Sequence, residues 1–456
     1  MEGETEGTRT LLGDQRKGIV ALAAPIAVAL FFQQLNSVVD SLWVSSLGGT
    51  ALAAIGVIYP IYSILIGIGN GLGIGVSSAI ARSIGADSRR DACASAAQGV
   101  TITVLLCLVL TPFLLLTAEG SMGLIGAGTM VEECLEYAYP IYASCIFVVL
   151  SGVMSGMLRG EGAARRSMAI QVAGAAANMV LDPVLIFGLG MGLAGAAWAT
   201  CIAFALSCAV AAYWYARGEG MFVRMSRRDF VPDRRICRGV LSVGAPEAME
   251  LSIMCLFNVL LNYIVIDCGG TDAVGIYSTG WRIANFIFIA AQALGGAMLA
   301  VCSAEYGMGR FDMIRDAFRY TVAVSVALTV VFSAVLALLS DPIASVFTSS
   351  DDLRYMQGEM RTMLLFFAAL LPVMSLVYTG SALLQSIDRA AGAMVNSLAR
   401  NILLCLGYVA AACLAGTLAS IWWAMALVEI AGGLMMGAHA AIVLRRDSAR
   451  AEAAAA

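Results

Sequence analysis

Twelve apolar segments, each long enough to cross a bilayer, follow one another with little polar sequence between them. They can be drawn at 18–47, 51–81, 92–118, 134–158, 167–190 and 193–216, then at 237–266, 272–304, 316–340, 359–387, 391–415 and 419–444. A transmembrane helix needs about 20 mainly apolar residues. Only helices and closed barrels satisfy their own backbone polar groups in lipid, and runs of this length do not suit barrel strands. The expected fold class is therefore an all-α polytopic membrane protein with 12 transmembrane helices. Sharing 456 residues among twelve crossings leaves 38 for each, which excludes a separate soluble domain. Several segments exceed a straight span, so tilted or bent helices are expected.

Composition excludes several function classes. Charged residues make up 13% of the chain, against about 25% in soluble proteins. The 27 basic and 31 acidic residues give a net charge of −4 with no basic stripe, so no nucleic-acid partner is expected. The 12 cysteines stand singly, without CxxC spacing, and read as small hydrophobes. His439 is the only histidine and reads as packed or solvated; a multi-histidine metal site is excluded. There is no Walker sequence and no nucleophile–base constellation, so neither enzymatic chemistry nor a cofactor is expected. Glycines 67, 69, 71, 73 and 75 lie inside an apolar segment, where close helix packing is their expected use. Residues 1–17 are polar, lack the basic start of a cleavable signal and read as an N-terminal cytoplasmic tail.

Loop charge sets the orientation. Arg82, Arg89 and Arg90, then Arg159, Arg165 and Arg166, the stretch 217–236, then Arg310, Arg315 and Arg319, and Arg389 all fall on one side. The opposite connection at 118–133 carries only Glu119, Glu132 and Glu133 among its charges; Arg354 and Arg361 are the exceptions on that side. By the positive-inside rule both termini are cytoplasmic, in the cell inner membrane. The chain also repeats itself. GIVALAAP (18–25) aligns with GVLSVGAP (239–246), and GGT at 48–50 recurs at 269–271, both 221 residues on. Segment 1 thus pairs with segment 7, so the two copies enter the membrane in the same direction, a parallel repeat. The expected organisation is an N-terminal tail (1–17), a six-helix lobe (18–216), a cytoplasmic linker (217–236), a second six-helix lobe (237–445) and a C-terminal tail (446–456). Such a repeat describes a two-lobed transporter with a central cavity.

Ionisable side chains in mid-span cost about 2.5–3.5 kcal/mol on insertion scales, so those present want a reason. Asp40 lies 7 residues from the outer end of segment 1 and Asp182 8 from that of segment 5. At about 1.5 Å per residue both sit roughly 10–12 Å below the outer surface, and Thr200 of segment 6 falls at the same depth. Gln33, Asn36 and Asp40 form a polar stripe, and Asn178 and Asp182 are i, i+4 neighbours. Pro183 removes a helical hydrogen bond and, with Pro25, marks a place where a helix can bend. Two carboxylates facing one dry space cannot easily both be ionised, so the pair suits proton uptake and release as a unit. The same oxygens, with an amide and a hydroxyl, would also suit a hard monovalent cation such as Na⁺. The alternative is that these groups only hydrogen-bond between helices. In the second half, Glu247 and Glu250 could line the cavity and attract a cationic substrate, or pair with a neighbouring donor such as Arg400; Glu429 is a further candidate to line the cavity. Arg282 reads as an acid's partner or an interface residue. Asn258 and Asn262 share a face of segment 7, with no acid at the repeat counterpart of Asp40 (Leu261).

The stripe Gln33…Asn36…Asp40 after Pro25, the segment GGTALAAIG (48–56) and the string NMVLDPVLIFGLGMGLAGAAWAT (178–200) resemble the multidrug and toxic compound extrusion (MATE) transporters, over about 17–446. The resemblance implies a V-shaped pair of lobes exporting organic cations in exchange for H⁺ or Na⁺ by alternating access, with no cofactor beyond the coupling ion. In prokaryotic members resembling the DNA-damage-inducible branch the cation site lies in the N lobe. Carried over, it falls on Asp40, Asn178, Asp182 and Thr200, with Gln33 and Tyr137 matching nearby polar positions. One departure is clear. Where other branches place an essential glutamate in segment 7 this chain has Met254, and segment 10 has only Glu359, so a second cation site in the C lobe is not expected. The expected partners are small-molecule organic cations and membrane lipid, with the protein a monomer. A flippase for lipid-linked intermediates is the competing transport reading, but it would want basic residues lining the cavity.

Overall fold

The computed structural model describes residues 5–125, 128–348 and 351–455. Their regular structure is helical throughout. Packing divides the chain into two compact units, residues 1–252 with 303–308, and residues 253–302 with 309–456.

The first unit begins with a short helix that the reading of 1–17 as a tail did not anticipate. α1 (Glu6–Leu12) is closed by a capping box between Thr5 and Thr8, and its Leu11 is fully buried. Asp14 accepts the backbone N–H groups of Arg16 and Lys17 and so starts α2 (Gln15–Ser45), which continues through Pro25 as one helix. α3 (Gly49–Gly85) carries the glycine run. Glycines two apart on a helix lie on nearly opposite sides, whereas glycines four apart share one. Gly69 and Gly73 accordingly meet Val149 and Gly152, and Gly71 and Gly75 meet Ala248, Val240 and Gly244. A Cβ on Gly71 would fall 2.5 Å from the Ala248 nitrogen, so each of these faces admits another backbone only while it is glycine.

α4 (Arg89–Ile125) leads to α5 (Val131–Ala143) and α6 (Cys145–Gly160), which meet at a 52° bend at Ser144. The fourth apolar segment is therefore one span broken in two. α7 (Ala164–Pro183) ends in a π-helical turn at Val184–Gly188, since Pro183 cannot donate to the Met179 carbonyl. α8 (Gly192–Arg217) follows, and then the connection to α9 (Arg234–Gly307). Gly270, with φ 73° and ψ −174°, breaks α9 into the seventh and eighth apolar segments.

In the second unit α10 (Phe311–Leu338), α11 (Ser340–Phe347), α12 (Gln357–Ser386), α13 (Ala390–Leu414) and α14 (Leu418–Ala455) surround a core that includes Trp422, Tyr408, Phe288 and Phe367. Among the described residues eleven helices are long and apolar enough to span a membrane, and the bent α5–α6 pair makes twelve. All 12 cysteines are free. His439 is packed against Gly392, its Nδ1 2.6 Å from the Asn396 amide.

At the arginine-rich end of the first unit a buried carboxylate ties two connections together. Glu161, 2% exposed, accepts the Tyr215 hydroxyl at 3.0 Å and the N–H groups of Phe222 and Val223 at 3.0 and 3.1 Å. Burial raises this carboxyl to about 7, against the opposing pull of those hydrogen bonds and of Arg166. Between the ordinary value of 4.5 and about 7 the folded protein holds a proton that the unfolded chain has released. Stability contributed here is thus greatest at the acid end of that window and falls as pH rises through it. Melting temperatures in detergent at about pH 5 and pH 8 should show this slope for the wild type and a smaller one for Glu161→Gln. Equal slopes would place the linkage elsewhere.

Candidate cation site in the first unit

Five elements of the first unit converge near the end of α7. The Asn178 amide organises them. It donates to Asp182 Oδ1 at 3.1 Å and to the Thr200 hydroxyl at 3.5 Å, and its own oxygen accepts the Asn36 amide at 2.8 Å. Thr200 in turn donates to the Ala196 carbonyl at 3.1 Å, which leaves its oxygen lone pairs facing the cluster. Asn178, Asp182 and Thr200 are buried at 4%, 0% and 9% exposure, so the network is dry on the α7–α8 side.

Asp40, one turn beyond Asn36 on α2, is near enough to Asp182 for their charges to interact. Asp40 Oδ1, Asp182 Oδ2 and Asn36 Oδ1 are nevertheless buried without a donor. Among the described residues no arginine, lysine or histidine pairs with either aspartate. Two neighbouring carboxylates repel when both are charged, and neither has a counter-charge among the described residues. A proton shared between them, or a small cation among their oxygens, removes that repulsion. Such a donor set suits the reversible capture of one positive charge.

Tyr137 of α5 and Tyr62 of α3 complete the surroundings, both within electrostatic reach of Asp40. Trp43 stands one turn beyond Asp40, its ring edge-on to Phe187 at 6.1 Å and 66°. The structure therefore brings Asn36, Asp40, Tyr137, Asn178, Asp182 and Thr200 together. Tyr62 has no signal in the sequence, because it stands in an apolar segment without an ionisable acid or base at helical spacing.

The remaining sequence candidates lie outside this network. Gln33 is exposed and makes no hydrogen bond among the described residues. Glu250 sits beside Glu247 on α9, close enough for their charges to interact. Asn258 is exposed on α9 in the second unit. Glu429, 2% exposed, is committed to Arg400, whose Nη1 lies 2.9 Å from its Oε2.

Comparison with known proteins gives concordant matches. The family profile described as MatE matches residues 25–184 and 246–409. The FAD transporter of Shewanella oneidensis is 26% identical over 382 residues, covering 81% of this chain and 82% of that protein. The multidrug export protein MepA of Staphylococcus aureus is 21% identical over 397 residues, covering 85% of each. A transporter of the MOP superfamily from Pyrococcus furiosus superposes with a TM-score of 0.94 at 28% identity, over 98% of this chain and 99% of its own. An outward-facing multidrug resistance MATE family transporter gives the same values.

Proposed function

Since the chain belongs to the MatE family of multidrug efflux transporters, we propose that it is a secondary antiporter exporting lipophilic cations in exchange for H⁺ or Na⁺. The observation that carries this reading is the Asp40–Asp182 pair: the fully buried Asp182 and the half-buried Asp40 each have a buried oxygen without a donor, and neither has a counter-charge among the described residues. The chain is a multi-pass membrane protein, and loop charge supports cytoplasmic termini.

Exchange requires that the coupling cation and the cargo favour different members of one conformational equilibrium. With a proton or Na⁺ between them, Asp40 and Asp182 draw α2 and α7 together. Without it the two carboxylates repel and favour separation of those helices. Asn178, itself bonded to Thr200, holds Asp182 still while this happens, so the change in charge acts on α2. A cargo that binds the charge-free arrangement better is released when the cation binds, which is reciprocal coupling.

The similarity to an FAD transporter supports a second reading, in which a flavin nucleotide is the cargo. One experiment separates the two. Vesicles containing the protein are loaded with ethidium or with FAD, and efflux is followed by fluorescence under imposed H⁺ and Na⁺ gradients. The expected result is gradient-driven ethidium efflux with little FAD efflux. FAD efflux alone would replace the cation reading with the flavin one.

A further inference from the structure

We propose that the connection between α8 and α9 is a docking site for anionic phospholipid head groups, with Phe230 and Val231 as its apolar wedge. Arg224, Arg227, Arg228, Arg234 and Arg238 are all exposed, and none is paired with an acid among the described residues. Two acids of the same stretch are engaged locally. Asp229 Oδ2 accepts both the N–H and the hydroxyl of Ser226, at 2.7 and 2.9 Å. Asp233 caps α9 by accepting the Arg235 and Ile236 N–H groups at 2.8 and 3.4 Å. Asp91, on α4, is taken by Arg235 at 2.7 Å. Asp229 and Asp233 thus serve backbone geometry, the exposed Glu219 pairs with no arginine among the described residues, and five guanidinium groups are left without a paired acid. Guanidinium groups bind phosphate oxygens bidentately, so a phosphodiester is the anion they fit.

The position of the loop says where that phosphate is. The buried Gln98 amide donates to the Asp229 and Val231 carbonyls at 3.0 and 2.8 Å and holds the loop against α4. Gln98 is nine residues after Arg89, about 13 Å along the helix. The exposed apolar surface of α4 begins at Val104 and Leu105, about 9 Å further on. The loop therefore lies at head-group depth, beside the first turn of α4 that faces lipid. There Phe230 is 41% exposed and Val231 67% exposed. An apolar tip at this level, flanked by unpaired arginines, favours a lipid over a soluble phosphate or a nucleic acid, which would leave the tip in water.

The test uses the full chain in mixed micelles of phosphatidylcholine with a minority of phosphatidylglycerol, and native mass spectrometry counts the phosphatidylglycerol retained. Each Arg→Gln change among the five should weaken retention by about fivefold, and added salt should weaken wild-type retention further. Arg→Lys changes should largely preserve it, which guards against a folding defect. Arg445→Gln with Arg446→Gln, at the far end of α14, should have little effect. Phe230→Ser should weaken retention while keeping the salt dependence. Undiminished retention in the five-fold Gln variant would overturn the proposal, as would equal competition by soluble glycerol phosphate.

Discussion

Asp40→Asn and Asp182→Asn each leave a folded protein that no longer couples export to an ion gradient. The substitution keeps side-chain volume and replaces an acceptor by a donor. In Asp40→Asn the new amide can donate to Asp182, whose Oδ2 has no partner in the wild type. Burying an unpaired acceptor costs about 1–3 kcal/mol, so the variant should melt at or above the wild-type temperature. What it loses is the second carboxylate, and with it the site's capacity to hold and release one positive charge. Export against a gradient should fall by about 5- to 150-fold, the range spanned by ordinary coupling free energies. Thr200→Ala removes a hydroxyl that can ligate a metal ion but need not carry a proton. It should therefore impair Na⁺-driven export more than H⁺-driven export. Wild-type export by both Asn variants, measured in the same vesicles, would remove the pair from the coupling path.

The largest effect on folding is expected at the Arg400–Glu429 pair, whose side chains are 10% and 3% exposed. Removing either partner strands a charge in the core of the second unit, at a cost of about 3–5 kcal/mol. Glu429→Ala and Arg400→Ala should each lower the denaturation midpoint sharply. Replacing both residues by leucine removes the two charges together and should recover most of the loss, because a buried pair roughly balances its own desolvation. Additive losses in the double variant would show that the two residues do not act as a pair. The same double variant bears on transport: if Glu429 serves structure and not cargo binding, it should export as the wild type does.

The candidate site was more legible in the sequence than its surroundings because helices act as rulers. Counting residues from segment ends placed Asp40, Asp182 and Thr200 at one depth, and i, i+4 spacing joined Asn178 to Asp182. The structure puts all four in one network, although two of those segments are far apart in the chain. Depth says nothing about azimuth, however. Gln33 shares the stripe of Asn36 and Asp40 by spacing, yet it takes no part in the network. Tyr62 does face Asp40, but the apolar residues around it conceal it. The pairing of Glu429 with Arg400 was open for a similar reason. Residues 29 apart on different helices meet only through packing, which the sequence does not display. The break of the fourth segment at Ser144 and the docking of α1 were hidden because apolar content records length and not direction.

The central claim is that cargo and coupling ion compete through Asp40 and Asp182, and binding measures this most directly. Calorimetric titration of the full chain in detergent with tetraphenylphosphonium, at several proton and Na⁺ concentrations, gives the linkage between the two. Wild-type Kd should weaken as one of these ions becomes more concentrated, and this dependence should disappear in Asp40→Asn and Asp182→Asn. The same ion dependence in the wild type and both variants would contradict the claim.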